Sequence, residues 1–247
     1  MHKKQLFIIL FIIFNSVNAY SETKVTTEWD RVRFRNLSQG TYNVSSGTGF
    51  FVNNVHVVTN YHVIENCVNY SARGAIEPSP LELVAFDKNL DLAILRASAS
   101  PKKIATIRQN TSSIQKGDMV YVMGYPLERG ETGLYNLINV FITSYDYQDA
   151  TKLIEFTVET INHGNSGGPL LDGNGNIIGI VQGKITRYLN DKVVDKQGLA
   201  IRSEVLEALL KVLKIPYTPA QNLSTYNNMR PDLVAKDFIV NIHCIKK

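Results

Sequence analysis

Gly49-Phe50-Phe51-Val52-Asn53-Asn54-Val55-His56-Val57-Val58-Thr59 sets two runs of β-branched and aromatic residues around a pair of asparagines. Such runs suit a pleated strand, and Asn tolerates turn backbone, so the stretch reads as a hairpin with a two-residue turn. The pattern continues outward on both sides. Runs at 68–72, 81–86 and 92–96, with one further strand expected near 31–35, bring the first half to about six strands, enough to close a small barrel.

The stretch 98–116 is rich in Ser, Thr, Lys and Gln, contains Pro101 and reads as a linker. Strand-like runs resume at 119–123, 134–143, 153–158, 169–171, 177–181 and 198–201, with Asp172-Gly173-Asn174-Gly175 as a turn between two of them. Only after Ser203 does the period change. Val205, Leu206, Leu209, Leu210 and Leu213 then share one helical face ahead of Pro216. The expectation is an all-β chain with a helix near its end. We divide it into a leader at 1–19, an N-terminal barrel at 20–105, a second barrel with the helix at 106–215, and a tail at 216–247 to which the sequence assigns no role.

Composition excludes several classes. Hydrophobic residues make up 44% of the 247 and charged residues 19%, a balance that supports a packed core and argues against disorder. Lys3 and Lys4 precede an apolar run from Leu6 to Phe14, followed by Asn15-Ser16-Val17-Asn18-Ala19, the layout of a secretory leader cut between Ala19 and Tyr20. That run is far shorter than the roughly 20 residues that span a bilayer. An exported protein, periplasmic or secreted and without a stable membrane anchor, is therefore expected. Losing Lys3 and Lys4 lowers the formal charge from +4 to +2, which gives nucleic-acid binding no support. Cys67 and Cys244 either pair in an oxidising compartment or stay as separate buried thiols.

The residues that carry chemistry begin with Gly164-Asn165-Ser166-Gly167-Gly168-Pro169-Leu170, a serine in a glycine run just before an apolar strand. Glycines let successive amides turn toward one point, so the loop of Gly164, Asn165 and Ser166 can hold a developing oxyanion. A serine hydroxyl needs a base to become a nucleophile. His62, in Val57-Val58-Thr59-Asn60-Tyr61-His62-Val63-Ile64, stands where an apolar strand ends. Asp91, in Asn89-Leu90-Asp91-Leu92-Ala93-Ile94-Leu95, is an acid at the threshold of another and would orient the imidazole. His56 and His163 read as structural. No Cys or carboxylate joins the histidines at ligand spacing, so neither metal nor cofactor is expected.

These three segments resemble the bacterial HtrA/Deg branch of trypsin-like serine proteases. The order His, Asp, Ser and the separations of 29 and 75 residues suit that branch, and the likeness runs from Ser46 to about Leu213. The resemblance implies two six-stranded antiparallel β-barrels, chymotrypsin-like, with the triad between them and polypeptides as substrates. It also implies a side-chain pocket walled by Thr160, by Val181, Gln182, Gly183 and Lys184, and by Leu199 to Ile201. No acid stands at Thr160 to meet a substrate Arg or Lys, so cleavage after small or medium apolar residues is expected. Substrate backbone would add as a strand beside Val181-Gln182-Gly183. Departures are equally legible, for the tail is too short for a PDZ domain, the long loop before the histidine is missing, and Asn162-His163 stands where the branch often has Asn-Pro. No zymogen-type activation sequence is present.

Two rivals remain to be weighed. An α/β-hydrolase esterase also uses G-x-S-x-G, but it requires a helix after the serine and a later acid and histidine, whereas here a hairpin follows and His243 is the only later histidine. A protease scaffold that binds peptides without cutting them is the second, because fold alone does not guarantee chemistry.

Overall fold

The computed structural model describes residues 9–12, 19–22, 27–38, 40–126, 134–145, 152–157, 163–189, 192–220 and 230–247. Two short strands, β1 (Ile9–Ile12) and β2 (Ala19–Glu22), come before a helix, α1 (Glu28–Arg33). The segment near 31–35, read from sequence as a strand, is this helix. Thr27 explains why: its hydroxyl accepts from the Asp30 amide while the Asp30 carboxylate accepts from the Thr27 amide, a reciprocal cap that starts a helix.

The first barrel contains β3 (Thr41–Phe51), β4 (His56–Thr59), β5 (Asn69–Gly74), β6 (Ser79–Asp87) and β7 (Leu92–Ala97), with a short helix, α2 (Tyr61–Ile64), following β4. Between the barrels lies β8 (Thr106–Ile107). The second barrel is built of β9 (Met119–Gly124), β10 (Asn136–Ser144), β11 (Leu153–Phe156), β12 (Pro169–Leu171), β13 (Ile177–Leu189) and β14 (Lys192–Arg202). Then come α3 (Ser203–Val212), β15 (Thr218–Pro219), α4 (Asp232–Ala235) and β16 (Ile239–Lys246).

All ring pairings are antiparallel. The second ring closes in the order β9, β10, β11, β14, β13, β12 and back to β9. The first runs β3, β4, β7, β6, β5 and then β16, which pairs with both β5 and β3. The sixth strand of the first barrel therefore comes from the far end of the chain, and the tail has a place in the fold. Every residue from Ile239 to Ile245 is buried, as expected for a strand paired on both edges. A disulfide between Cys67 and Cys244, with Cα atoms 5.3 Å apart, ties β16 to the loop after α2. The two cysteines thus pair.

The hairpin expected at 49–59 is present, with Phe50 opposite Val58, but its connection is longer than two residues. Neither Asn53 nor Asn54 adopts positive φ. Instead the Asn53 side-chain oxygen accepts the amides of Val55 and His56, a side-chain turn that does the work of a tight backbone one. Phe50, Leu81, Leu95 and Ile242 are fully enclosed in the first core, while Val122, Ile154, Phe156 and Ile178 fill the second. Helix α3 buries Val205, Leu206 and Leu210 on one side, the face the spacing predicts. β1 lies antiparallel to β13 along Lys184 to Arg187, and β2 extends β3.

Candidate active site

His62 is the second residue of α2, which follows the buried end of β4 through its N-cap Asn60. Val63 and Ile64 anchor the helix, and Gly47 of β3 lets it approach closely: a side chain there would come within 2.6 Å of a Val63 methyl. Asp91 occupies a left-handed turn, φ 52°, ahead of β7, a conformation Asp tolerates better than most residues. The Asp87 carboxylate braces that turn by accepting the amides of Asn89 and Leu90. In return the Asp91 carbonyl accepts from the Asn60 side chain at 2.9 Å and the Tyr61 amide at 3.1 Å, so the two turns are locked together.

The side chains then meet. His62 Nδ1 lies 2.8 Å from Asp91 Oδ2, and the His62 backbone amide donates to Oδ1 at 3.0 Å. A carboxylate facing Nδ1 assigns the proton to that nitrogen and leaves Nε2 as the basic one.

Ser166 is carried by the loop entering β12. Gly164 and Gly167 both take positive φ, +96° and +80°, and a side chain on Gly167 would overlap Thr59 Oγ1 and the Thr48 carbonyl. The loop is fastened to both barrels: the Thr48 amide donates to the Ser166 carbonyl at 2.8 Å, Thr48 Oγ1 to the Gly164 carbonyl at 2.6 Å, and the Gly167 amide to the Val181 carbonyl at 2.8 Å. Neither the Gly164 nor the Ser166 amide donates to another of the described residues. Two backbone donors are thereby left for a ligand oxygen. Ser166 is only 8% exposed, and its hydroxyl donates to the Gln182 carbonyl at 3.3 Å; among the described residues the hydroxyl makes no hydrogen bond with His62.

A cleft of about 380 Å³ is lined by His62 and Asp91 together with Tyr61, Gln182, Gly183 and Leu199 among others; Ser166 is not among its lining residues. Of the residues expected to form the pocket, Gln182, Gly183, Lys184 and Leu199 border this cleft. Val181 is fully buried in the second core, with its amide and carbonyl both taken by the glycine loop, and Thr160 lies outside the described residues. Two contributions were missed from sequence. Asn60 and Thr48 are polar, fully buried and used to hold the His62 and Ser166 loops; Asn60, a polar residue after the apolar Val57-Val58, carried a signal, whereas Thr48, among Ser and Gly, carried none. The Gln182 side chain reaches Asp91, at 3.2 Å from Nε2 to Oδ2, which no sequence pattern announces.

His56 is half-buried, with Nδ1 3.0 Å from Asn53 Oδ1, and burial together with Arg96 lowers its pKa below the ordinary histidine value. Among the described residues no group of three His, Cys, Asp or Glu side chains could hold a metal ion, and no helix is long and apolar enough to cross a membrane.

Residues 47–180, more than half the chain, match the family model for the trypsin-like peptidase domain. The chain belongs to the trypsin-like serine protease family. His62, Asp91 and Ser166 all fall within the matched stretch. Among curated relatives of this trypsin-like chain, an uncharacterized protein, y4bJ, of Sinorhizobium fredii is 33% identical over 81% of this chain and 32% of its own length. Protease Do-like 1, chloroplastic, of Arabidopsis thaliana is 35% identical over 55% of this chain and 32% of its own. The chain thus spans about a third of the length of these two relatives. The active form of the Rv3671c protease of Mycobacterium tuberculosis shares the fold, with a TM-score of 0.56 and 24% identity over 78% of this chain and 81% of that one. The Do-like relative accords with the HtrA/Deg resemblance.

Proposed function

We propose that this trypsin-like protein is an exported serine endopeptidase in which Ser166 is the nucleophile, His62 the general base and Asp91 the group that orients and charges the imidazole. The observation that carries the reading is the doubly bonded pair of His62 and Asp91 standing across the barrel junction from a serine loop with two undonated amides. A substrate strand added beside Gln182 and Gly183 brings its carbonyl to Ser166. The hydroxyl turns from the Gln182 carbonyl to His62 Nε2, which takes the proton as oxygen attacks carbon. Asp91 stabilises the imidazolium, and the amides of Gly164 and Ser166, spaced by Asn165, hold the oxyanion. The imidazolium then protonates the leaving amine, giving an acyl-enzyme that water hydrolyses by the same route.

Gln182, Gly183 and Leu199 supply no carboxylate for a substrate cation, and neither Thr160 nor Val181 is an acid, so cleavage follows small or medium apolar residues. Residues 1–19 act as the leader, and the bridge between Cys67 and Cys244 suits the oxidising compartment reached by export. We take 20–105 and 106–215 as the two barrel units, with β16 completing the first.

A non-cutting peptide binder is favoured by one observation, the bond from the Ser166 hydroxyl to Gln182 in place of His62. Incubation with a peptide library separates the two. Wild type that cuts after apolar residues while Ser166→Ala does not supports the peptidase; peptides retained but uncut by folded wild type support the binder. A dominant preference for Arg or Lys would refute the pocket assignment.

A further inference from the structure

β13 has two edges, and β14 covers one of them from Gly179 to Leu189. The opposite edge is shared out in order along the chain. β12 pairs with it up to Ile180, the glycine loop takes both the amide and the carbonyl of Val181, and β1 pairs antiparallel with Lys184 to Arg187. Gln182 and Gly183 lie between these neighbours and border the cleft. Lys184 belongs to both regions, since it borders the cleft and stands opposite Ile12. β1 is part of neither barrel ring, so closing the barrels does not call for it.

The backbone groups of one strand edge pair with one neighbour at a time. A peptide that adds beside Gln182 and Gly183 and continues along β13 needs the edge that the backbone of Ile9-Leu10-Phe11-Ile12 already occupies. β1 also heads for the cleft, because its order from Ile9 to Ile12 follows β13 backward from Arg187 to Lys184. We infer that β1 is a built-in competitor for the substrate edge, which restrains the chain while it keeps residues 1–19 and releases it when they are cut away. Tethering explains how four residues suffice. Joined through the chain to β2, which is paired with β3, the strand is held near β13 at an effective concentration on the order of millimolar. A cut between Ala19 and Tyr20 removes that tether. The inference rests on the substrate edge and the leader proposed above, and its contact between β1 and β13 can be tested apart from any cutting.

The test sets the full chain, its retention of residues 1–19 checked by intact mass, beside the double variant Leu10→Pro/Phe11→Pro. Neighbouring amides of a strand point to opposite sides, so one of the two prolines removes a donor aimed at β13. Two peptides cut at the same bond are compared, one with two residues ahead of it and one with six. The shorter needs only the open stretch at Gln182 and Gly183, whereas the longer also needs Lys184 to Arg187. For the longer peptide KM should fall about tenfold in the variant, the change expected if about nine chains in ten hold β1 in place, with kcat within about twofold. KM for the shorter should stay within about twofold, and amide hydrogen exchange at Lys184 to Arg187 should quicken. An unchanged KM for the longer peptide, an equal fall for both peptides, or unchanged exchange overturns the inference. A full chain that binds the peptides and cuts neither refutes the protease reading instead. The Kd of the longer peptide then decides: tightening by about tenfold in the variant upholds the inference, and an unmoved Kd overturns it.

Discussion

His62 Nδ1 lies 2.8 Å from Asp91 Oδ2 while the amide of the same histidine holds Oδ1, so one carboxylate fixes both the ring and the backbone that carries it. The two residues come from neighbouring strand ends, β4 and β7, which pair along their length. Orientation of the imidazole is thus built into the first barrel.

Asp91→Asn should leave the fold intact, because Asn also accepts the left-handed turn at φ 52°. Its side-chain NH₂ can no longer accept from Nδ1, which favours the wrong tautomer. Turnover should fall by about 10⁴-fold with an unchanged melting temperature. Peptide hydrolysis alongside thermal unfolding checks both halves.

Cys244→Ser should lower stability by about 5 kcal/mol, the scale for a bridge closing a long loop, here 177 residues. Reductant should bring wild type to the same midpoint and leave the variant unmoved. Denaturant unfolding with and without dithiothreitol measures this. Equal midpoints for oxidised wild type and the variant would contradict the pairing.

His243 supplies a pH dependence. Its ring is buried against Trp29 at 4.9 Å, with Arg33 3.4 Å from Nδ1, and burial, then Arg33 and Arg73, push its pKa down to about 3. The folded state holds the ring neutral while the unfolded chain takes a proton near pH 6.5. The contribution is therefore full above about pH 6.5 and is lost as pH falls toward 3, by about 1.4 kcal/mol per unit. His243→Gln should flatten the fall in unfolding free energy between pH 6.5 and 4 relative to wild type. Parallel slopes for the two proteins would contradict the assignment.

What the sequence made legible follows the range of the forces involved. The strands around Asn53, the glycines beside Ser166 and the acid before Leu92 are local features, each announced within a few residues. Placement of Phe238 to Ile245 was not, because its partners are β3 and β5, far back in the chain. Arg31-Val32-Arg33-Phe34-Arg35 alternates like a strand. The cap between Thr27 and Asp30, which lies outside that window, overrides the alternation and buries Trp29 and Arg33 from one helical face. The aim of Gln182 depends on a bulge, set by how two long strands register and not by any local residue preference.

The central claim is tested most directly by intact-mass measurement after treatment with a fluorophosphonate, followed by peptide mapping. One adduct on Ser166, absent in Ser166→Ala and strongly slowed in His62→Ala, is the expected result. Folded wild type that stays unmodified, or an adduct on another residue, would contradict the account.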